Sequence, residues 1–268
     1  MLLSVLCGST DAFGGYVVEQ KHKTVGLRRM GEATTTSVSW EGSRVRVDDP
    51  AKQISIIIDY EASKLIALNH SLKEYRETSL EQLAAQQKKR RDSAVLKFGL
   101  LTPEQRKRVG RLELPVPVAF ESTTETETIA GHTCKKFLLW RATNPAGEVC
   151  LSEQISLGPI SEHVKKLAAS GGTAFGGSGD MLALPEGVQM SQGFPLRTVS
   201  LIEIAAKRIT TTTEVSKVEK RPLPASLFHL PPDYKRDGND GGTAHPAQRG
   251  SLPGVSGGIG TSEGKKAN

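Results

Sequence analysis

Any chemistry in this chain would have to come from a short list of side chains. Six histidines, at positions 22, 70, 132, 163, 229 and 245, are scattered through it, and none pairs with a second ligand at the spacings that hold a metal. Glu125 and Glu127 stand two apart, so on a strand they share a face and imitate an acid–base pair. The rest of the stretch from Glu121 to Glu127 is Ser and Thr, and the carboxylates are read as keeping one sheet face wet. Gly176-Gly177-Ser178-Gly179-Asp180 fails as a nucleophile elbow, because Asp180 takes the place of a glycine and no strand-turn-helix pattern surrounds it. Gly258-Ile259-Gly260 is no dinucleotide loop, since it lacks a strand before it and a helix after it. The sequence predicts a protein that is not an enzyme and that carries no metal or cofactor.

Charge is the sharper feature. Lys88, Lys89, Arg90, Arg91, Lys97, Arg106, Lys107, Arg108 and Arg111 face only Asp92 and Glu104 in the same stretch, so its balance is 9 − 2 = +7 against +6 for the whole chain. The basicity is one local patch. Three readings compete for it: a solvated helix end and loop, a docking face for an anionic membrane surface or an acidic protein, and nucleic acid. The last is set aside, because Phe98 is the one aromatic in the stretch able to stack a base.

The elements that would position these residues are mostly strands. With 268 residues, 37% of them hydrophobic, the chain is long enough to bury a core without disulfide staples. Its apolar runs fall short of a membrane-spanning helix. From Tyr16 to Asn69 the sequence alternates: Thr34, Thr36, Val38 and Trp40 lie on one side, and Arg44-Val45-Arg46-Val47 points charges out and valines in. Glu41-Gly42 reads as a hairpin turn and Asp48-Asp49-Pro50 as a strand end. Further strands cover 54–59, 64–68, 122–129, 132–142, 148–154, 195–205, 207–217 and a short run near Leu227, with a turn at Asn144-Pro145-Ala146-Gly147. Ten or eleven strands with turns at this spacing predict a barrel or sandwich.

Two helices interrupt them. Thr78-Ser79-Leu80-Glu81 reads as a capping box, followed by Leu80, Leu83 and Ala84 as one apolar stripe on a helix to about Arg91. The second helix spans 160–169. The glycine-rich run 170–179 before Met181 and Leu182 is either a lid or plain disorder.

The ends differ in composition from the middle. Residues 1–12 resemble the tail of an export signal, with Thr10 and Ala12 at cleavage-site spacing. Residues 237–268 hold nine glycines in 32 positions and predict a disordered tail, leaving 13–236 as the domain. If the 144–147 turn centres a hairpin, Cys150 falls opposite Arg141. Cys134 then lies about 24 Å further along the partner strand, too far to bridge. Two free thiols count mildly against an oxidising compartment.

Three motifs in order carry a family resemblance: Thr128-Ile129-Ala130-Gly131-His132-Thr133-Cys134-Lys135-Lys136-Phe137, then Gly193-Phe194-Pro195-Leu196, then Pro224-Ala225-Ser226-Leu227-Phe228 through Pro231 and Tyr234. The sequence resembles an uncharacterised family of exported bacterial proteins with a domain of unknown function, similar to the LolA/LolB lipoprotein-carrier fold. The resemblance covers roughly residues 16–236. It implies a mainly β, α+β architecture, a curved antiparallel half-barrel whose concave face is covered by helices and loops, and a periplasmic or cell-envelope location. It also implies a cavity for lipid or lipoprotein acyl chains. No contact residue is carried over from LolA.

The candidate wall is read from the sequence itself: Val45, Val47, Ile56, Ile58, Leu139, Val199 and Leu201 from the sheet, with Leu80, Leu83, Met181 and Leu182 as cover. The same side chains would equally fill a dry core. Two alternatives stand beside the lipid binder. One is a protein-interaction or sensor module of the same fold using Lys88, Lys89, Arg90, Arg91, Arg106, Lys107, Arg108 and Arg111. The other is an envelope structural protein without ligand.

Overall fold

The computed structural model describes residues 14–26, 33–100, 102, 104, 118–141, 143–169, 193–204 and 207–237. The signal-like segment 1–12, the glycine run 170–179 with Met181 and Leu182, and the tail from 238 on lie outside the described residues.

A meander opens the chain: β1 (Gly15–Val25), β2 (Thr34–Glu41), β3 (Arg44–Asp49), β4 (Ile54–Asp59), β5 (Lys64–Asn69) and β6 (Glu74–Ser79), which runs directly into α1 (Leu80–Leu100). Then come β7 (Val118–Ile129), β8 (His132–Arg141), β9 (Asn144–Ser152), α2 (Ile160–Ala169), β10 (Phe194–Ile204) and β11 (Lys207–Arg221). A 3-10 turn (Ala225–Phe228) and the two-residue β12 (Lys235–Arg236) close the described chain. All twelve strands form one sheet in the order β12-β6-β5-β4-β3-β2-β1-β11-β10-β9-β8-β7. Every pairing is antiparallel except β12 with β6. Strands β7 and β12 are the two edges, so the curved sheet is open, as a half-barrel requires. The run near Leu227 belongs to the 3-10 turn and not to a strand.

Alternation decides most of these strands. Val45 and Val47 are buried on β3, and Thr36, Val38 and Trp40 on β2. Strand β4 breaks the alternation: Ile54, Ser55, Ile57 and Ile58 are all buried, because both faces of this half of the sheet are covered. On one face Val18, Val38, Trp40, Val45, Val47 and Ile58 pack with Ile155, Leu157, Ile160 and Val164 of α2 and its lead-in. On the other, Ile57 and Leu68 pack with Leu223 and Phe228 of the returning C-terminal segment.

Two local readings are corrected. The helix cap is Ser79, whose hydroxyl accepts from the Gln82 backbone N–H at 3.1 Å while Gln82 Oε1 accepts from Ser79 N–H at 3.3 Å. Strand β6 runs through Thr78 to Ser79 and the helix begins at Leu80, so the cap and its reciprocal partner each fall one residue later than Thr78 and Glu81. The helix then runs nine residues past Arg91 to Leu100, since neither Gly nor Pro interrupts the sequence between Ser79 and Gly99.

The β8–β9 reversal is the second correction. Arg141 pairs with Asn144, so the chain turns before the Asn-Pro-Ala-Gly run, which enters β9 with a bulge. Gly147 is a strand residue at φ +144°, and a Cβ there would lie 1.8 Å from the Val199 carbonyl oxygen. The earlier turn places Cys150 opposite Lys136. Cys134 is then two residues away, and the two cysteines form a disulfide with Cα atoms 5.3 Å apart. The sequence-based expectation that they cannot bridge is overturned by this register.

Candidate functional site

Three places on the sheet gather polar or apolar groups in a way that invites function. The first is the expected ligand wall. Val45, Val47 and Ile58 are 2–3% exposed and Leu80 is 7% exposed, all in the cluster that α2 covers, with Ile56 packed against it. Leu83, Val199 and Leu201 are half-buried. Leu139 packs elsewhere, in a separate cluster with Phe137, Val149 and Leu151. The wall residues of β3 and β4 therefore meet, and what they meet is the chain's own Leu157, Ile160 and Val164.

Aromatic and polar contacts fasten that cover. Trp40 stacks between Tyr16 and Phe194, with ring centroids at 5.0 and 5.2 Å, and donates its indole N–H to the Ser156 carbonyl at 3.2 Å. Tyr60 stacks on His163 of α2 at 5.7 Å, and burial pushes its phenol well above the ordinary tyrosine value.

The second place is a polar relay with no local signature in the sequence, because its members are spread over 189 positions of chain. Arg46 Nε donates to both carboxylate oxygens of Asp48, at 2.8 and 3.0 Å. Arg46 Nη1 donates to the Leu227 carbonyl at 3.0 Å and Nη2 to Ser55 Oγ at 3.1 Å. The Ser55 hydroxyl donates to Asp48 Oδ1 and lies 2.6 Å from His70 Nε2. On its far side, His70 Nδ1 lies 2.5 Å from the Tyr234 hydroxyl. A serine beside an imidazole is the geometry of a nucleophile and its base, but the donor count reverses the roles. Ser55 spends its one proton on Asp48, so His70 Nε2 must carry the proton of that bond, while Nδ1 is occupied by the Tyr234 hydroxyl. His70 has no free lone pair for Ser55, and Ser55 is fully buried. The relay is a satisfied network that ties the C-terminal segment to the sheet.

The third place surrounds the disulfide. Arg197 forks onto Glu127, with Nη1 at 2.7 Å from Oε1 and Nη2 bonded to Oε2. It also lies 3.6 Å from Glu214 and 4.0 Å from Glu148. Lys136 bridges Glu148 at 3.0 Å and Glu125 at 3.2 Å. Directly opposed residues share a face, so the register places Glu127, Cys134, Lys136, Cys150, Arg197 and Glu214 together. Partial burial pulls the Arg197 guanidinium down, and the three carboxylates more than offset it. Glu148 first, then Glu125, hold the Lys136 ammonium above its ordinary value. The glutamates expected to wet a sheet face thus pin edge strand β7 across β8 to β9 and β10.

A groove of about 330 Å3 opens beside the relay, lined by Ile57, Asp59, Ala62, Lys64, Ile66, Phe228, His229 and Leu230. Among the described residues no cluster of three or more His, Cys, Asp or Glu side chains is placed to hold a metal. No described helix is long and apolar enough to cross a membrane. Of the basic patch, Lys88 and Lys89 are exposed on α1. Arg90 and Arg91 lie on the same helix, their side chains outside the described set, and Arg106, Lys107, Arg108 and Arg111 fall outside the described residues.

The family comparison agrees with the resemblance to a domain of unknown function. Residues 112–234 match the family model DUF4412, a domain of unknown function. No curated protein matches the sequence. Similar solved structures include an uncharacterized conserved protein from Thermus thermophilus, at 9% identity and TM-score 0.42 over 84% of this chain and 91% of that one. A LolA superfamily protein from Nitrosomonas europaea aligns at 11% identity and TM-score 0.31, over 81% of this chain and 91% of that one. The MucA/MucB complex of Pseudomonas aeruginosa aligns at 9% identity and TM-score 0.33, over 83% of this chain and 57% of that one.

Proposed function

We propose that the protein is a non-catalytic binding module of the cell envelope, taking an acyl chain or a lipidated partner on the apolar sheet face that α2 covers. The observation that carries this reading is how thin the cover is. Among the described residues, Val18, Val38, Val45, Val47 and Ile58 are met from outside the sheet by Tyr60, Leu80, Ile155, Leu157, Ile160 and Val164. Acyl chains need continuous apolar contact and almost no polar partner, so a lipid tail can replace these side chains group for group. The face is closed in this state, and entry requires the 155–164 segment to lift, breaking the Trp40–Ser156 bond and the Tyr60–His163 stack. The Cys134–Cys150 disulfide supports an exported location, since such bonds persist in oxidising compartments.

A second reading, a protein-interaction or sensor module, is favoured by the filling of that same face, which leaves the outer surface to do the binding. Tryptophan fluorescence separates the two. The chain has two tryptophans, so Trp140→Phe leaves Trp40 as sole reporter beneath the cover. Addition of a long-chain fatty acid is expected to shift Trp40 emission and to give a one-to-one adduct in native mass spectrometry. Unchanged emission together with a clean apo mass overturns lipid binding and leaves the interaction module.

A further inference from the structure

Among its described side chains, helix α1 is buried only in its first turns. Leu80 and Ala84 are buried and Leu83 half-buried, whereas every described side chain from Ala85 to Leu100 is exposed. At 1.5 Å per residue the helix reaches about 24 Å beyond Ala84. Its far end carries Leu96 at 70% and Leu100 at 86% exposure, two of the most exposed large apolar side chains described.

Helical geometry rules out that these leucines extend the buried stripe. At about 100° per residue, Leu96 and Leu100 lie roughly 120–160° around the helix from Leu80 and Ala84. They share their stripe instead with Lys89, within about 20° on either side of it, while Asp92 stands about 40–80° and Lys88 about 80–120° to one flank. The helix is polar over most of its surface, so what it offers a membrane is local: two aliphatic side chains at the tip, with the run Lys88-Lys89-Arg90-Arg91 two to three turns back, where cations meet anionic headgroups. We infer that the C-terminal half of α1 docks on an anionic phospholipid bilayer, Leu96 and Leu100 entering the acyl boundary while Lys88 and Lys89 meet headgroup phosphates.

A bilayer is favoured over nucleic acid by the leucines. Nucleic acid offers the basic residues counter-charges but gives two exposed aliphatic side chains nothing to bury against. A bilayer supplies both layers at once. Each basic residue near an anionic surface adds several-fold to the affinity. Two leucines alone, or two cations alone, fall short of stable anchoring, and the combination is what the helix presents. This docking does not depend on acyl uptake beneath α2.

Co-sedimentation of the full chain with vesicles tests it. Binding is expected to phosphatidylcholine vesicles containing phosphatidylglycerol, and to be at least about tenfold weaker to phosphatidylcholine alone. The pair Leu96→Ser and Leu100→Ser, and separately the pair Lys88→Glu and Lys89→Glu, are each expected to weaken binding about tenfold or more. Both pairs should leave the melting temperature unchanged, because the sites are exposed. An environment-sensitive fluorophore at Leu100→Cys, in a Cys7→Ser background, is expected to shift to the blue only with anionic vesicles. Absence of binding to anionic vesicles overturns the inference. So does binding that survives the leucine substitutions, which is headgroup adhesion of the kind any acidic macromolecule would give, or a fluorophore that stays in water. Fatty-acid uptake by the leucine variant should be unaltered, which keeps failure here distinct from failure of the function proposed above.

Discussion

The Tyr234 hydroxyl lies 2.5 Å from Nδ1 of His70, and 164 positions of sequence separate them. His70 Nε2 gives its proton to Ser55, and the Tyr234 hydroxyl occupies the other ring nitrogen, so both nitrogens of the imidazole are partnered. A chain of donors thus runs from the C-terminal segment into the buried middle of β4. Beside it, Phe228 is buried and the Arg44 guanidinium stands 5.1 Å from its ring centroid.

Tyr234→Phe removes one donor from this relay and is expected to cost about 1–2 kcal/mol. Ser55→Ala leaves the half-buried His70, Arg46 and Asp48 each short of a partner, and is expected to cost about 2–3 kcal/mol. Denaturant unfolding of both variants and of the double variant measures the coupling. Additive losses would refute a continuous network.

The disulfide closes a sequence separation of 16, for which chain entropy gives about 3 kcal/mol. Reduction, or Cys134→Ser with Cys150→Ser, is expected to lower the melting temperature accordingly. Thiol titration in denaturant without reductant should find one free thiol among the three cysteines. Free thiols at both Cys134 and Cys150 in protein exported to an oxidising compartment would dismiss the bond.

Gly147 offers a sharp steric contrast with Gly42. An alanine at 147 would place its Cβ 1.8 Å from a backbone oxygen of β10 at φ +144°, whereas Gly42 at φ +60° has open space around it. Gly147→Ala is therefore expected to cost about 3 kcal/mol or more, and Gly42→Ala about 1 kcal/mol. Equal losses in thermal melts would mean that the strand at 147 can move away from Val199.

What the sequence determined by itself is what depends on near neighbours. Period-two alternation in Thr34 to Trp40 and Arg44 to Val47 specifies half-buried strands, and the second helix is legible from its own apolar spacing, because side-chain direction repeats with the local backbone. The openness of the sheet, too, was reached from three sequence motifs through resemblance. What only the tertiary structure decided involves residues far apart or a shift of a residue or two. The β8–β9 register hangs on where a two-residue reversal falls, and moving it brought Cys134 to Cys150. The relay of Arg46, Asp48, Ser55, His70 and Tyr234 is invisible along the chain, since each member is an ordinary strand or turn residue until the C-terminal segment folds back. Whether Val45, Val47 and Ile58 line a hollow or a filled core is likewise a property of what packs on them. Hydrophobicity is non-directional, so a sequence can say that a side chain is buried without saying against what.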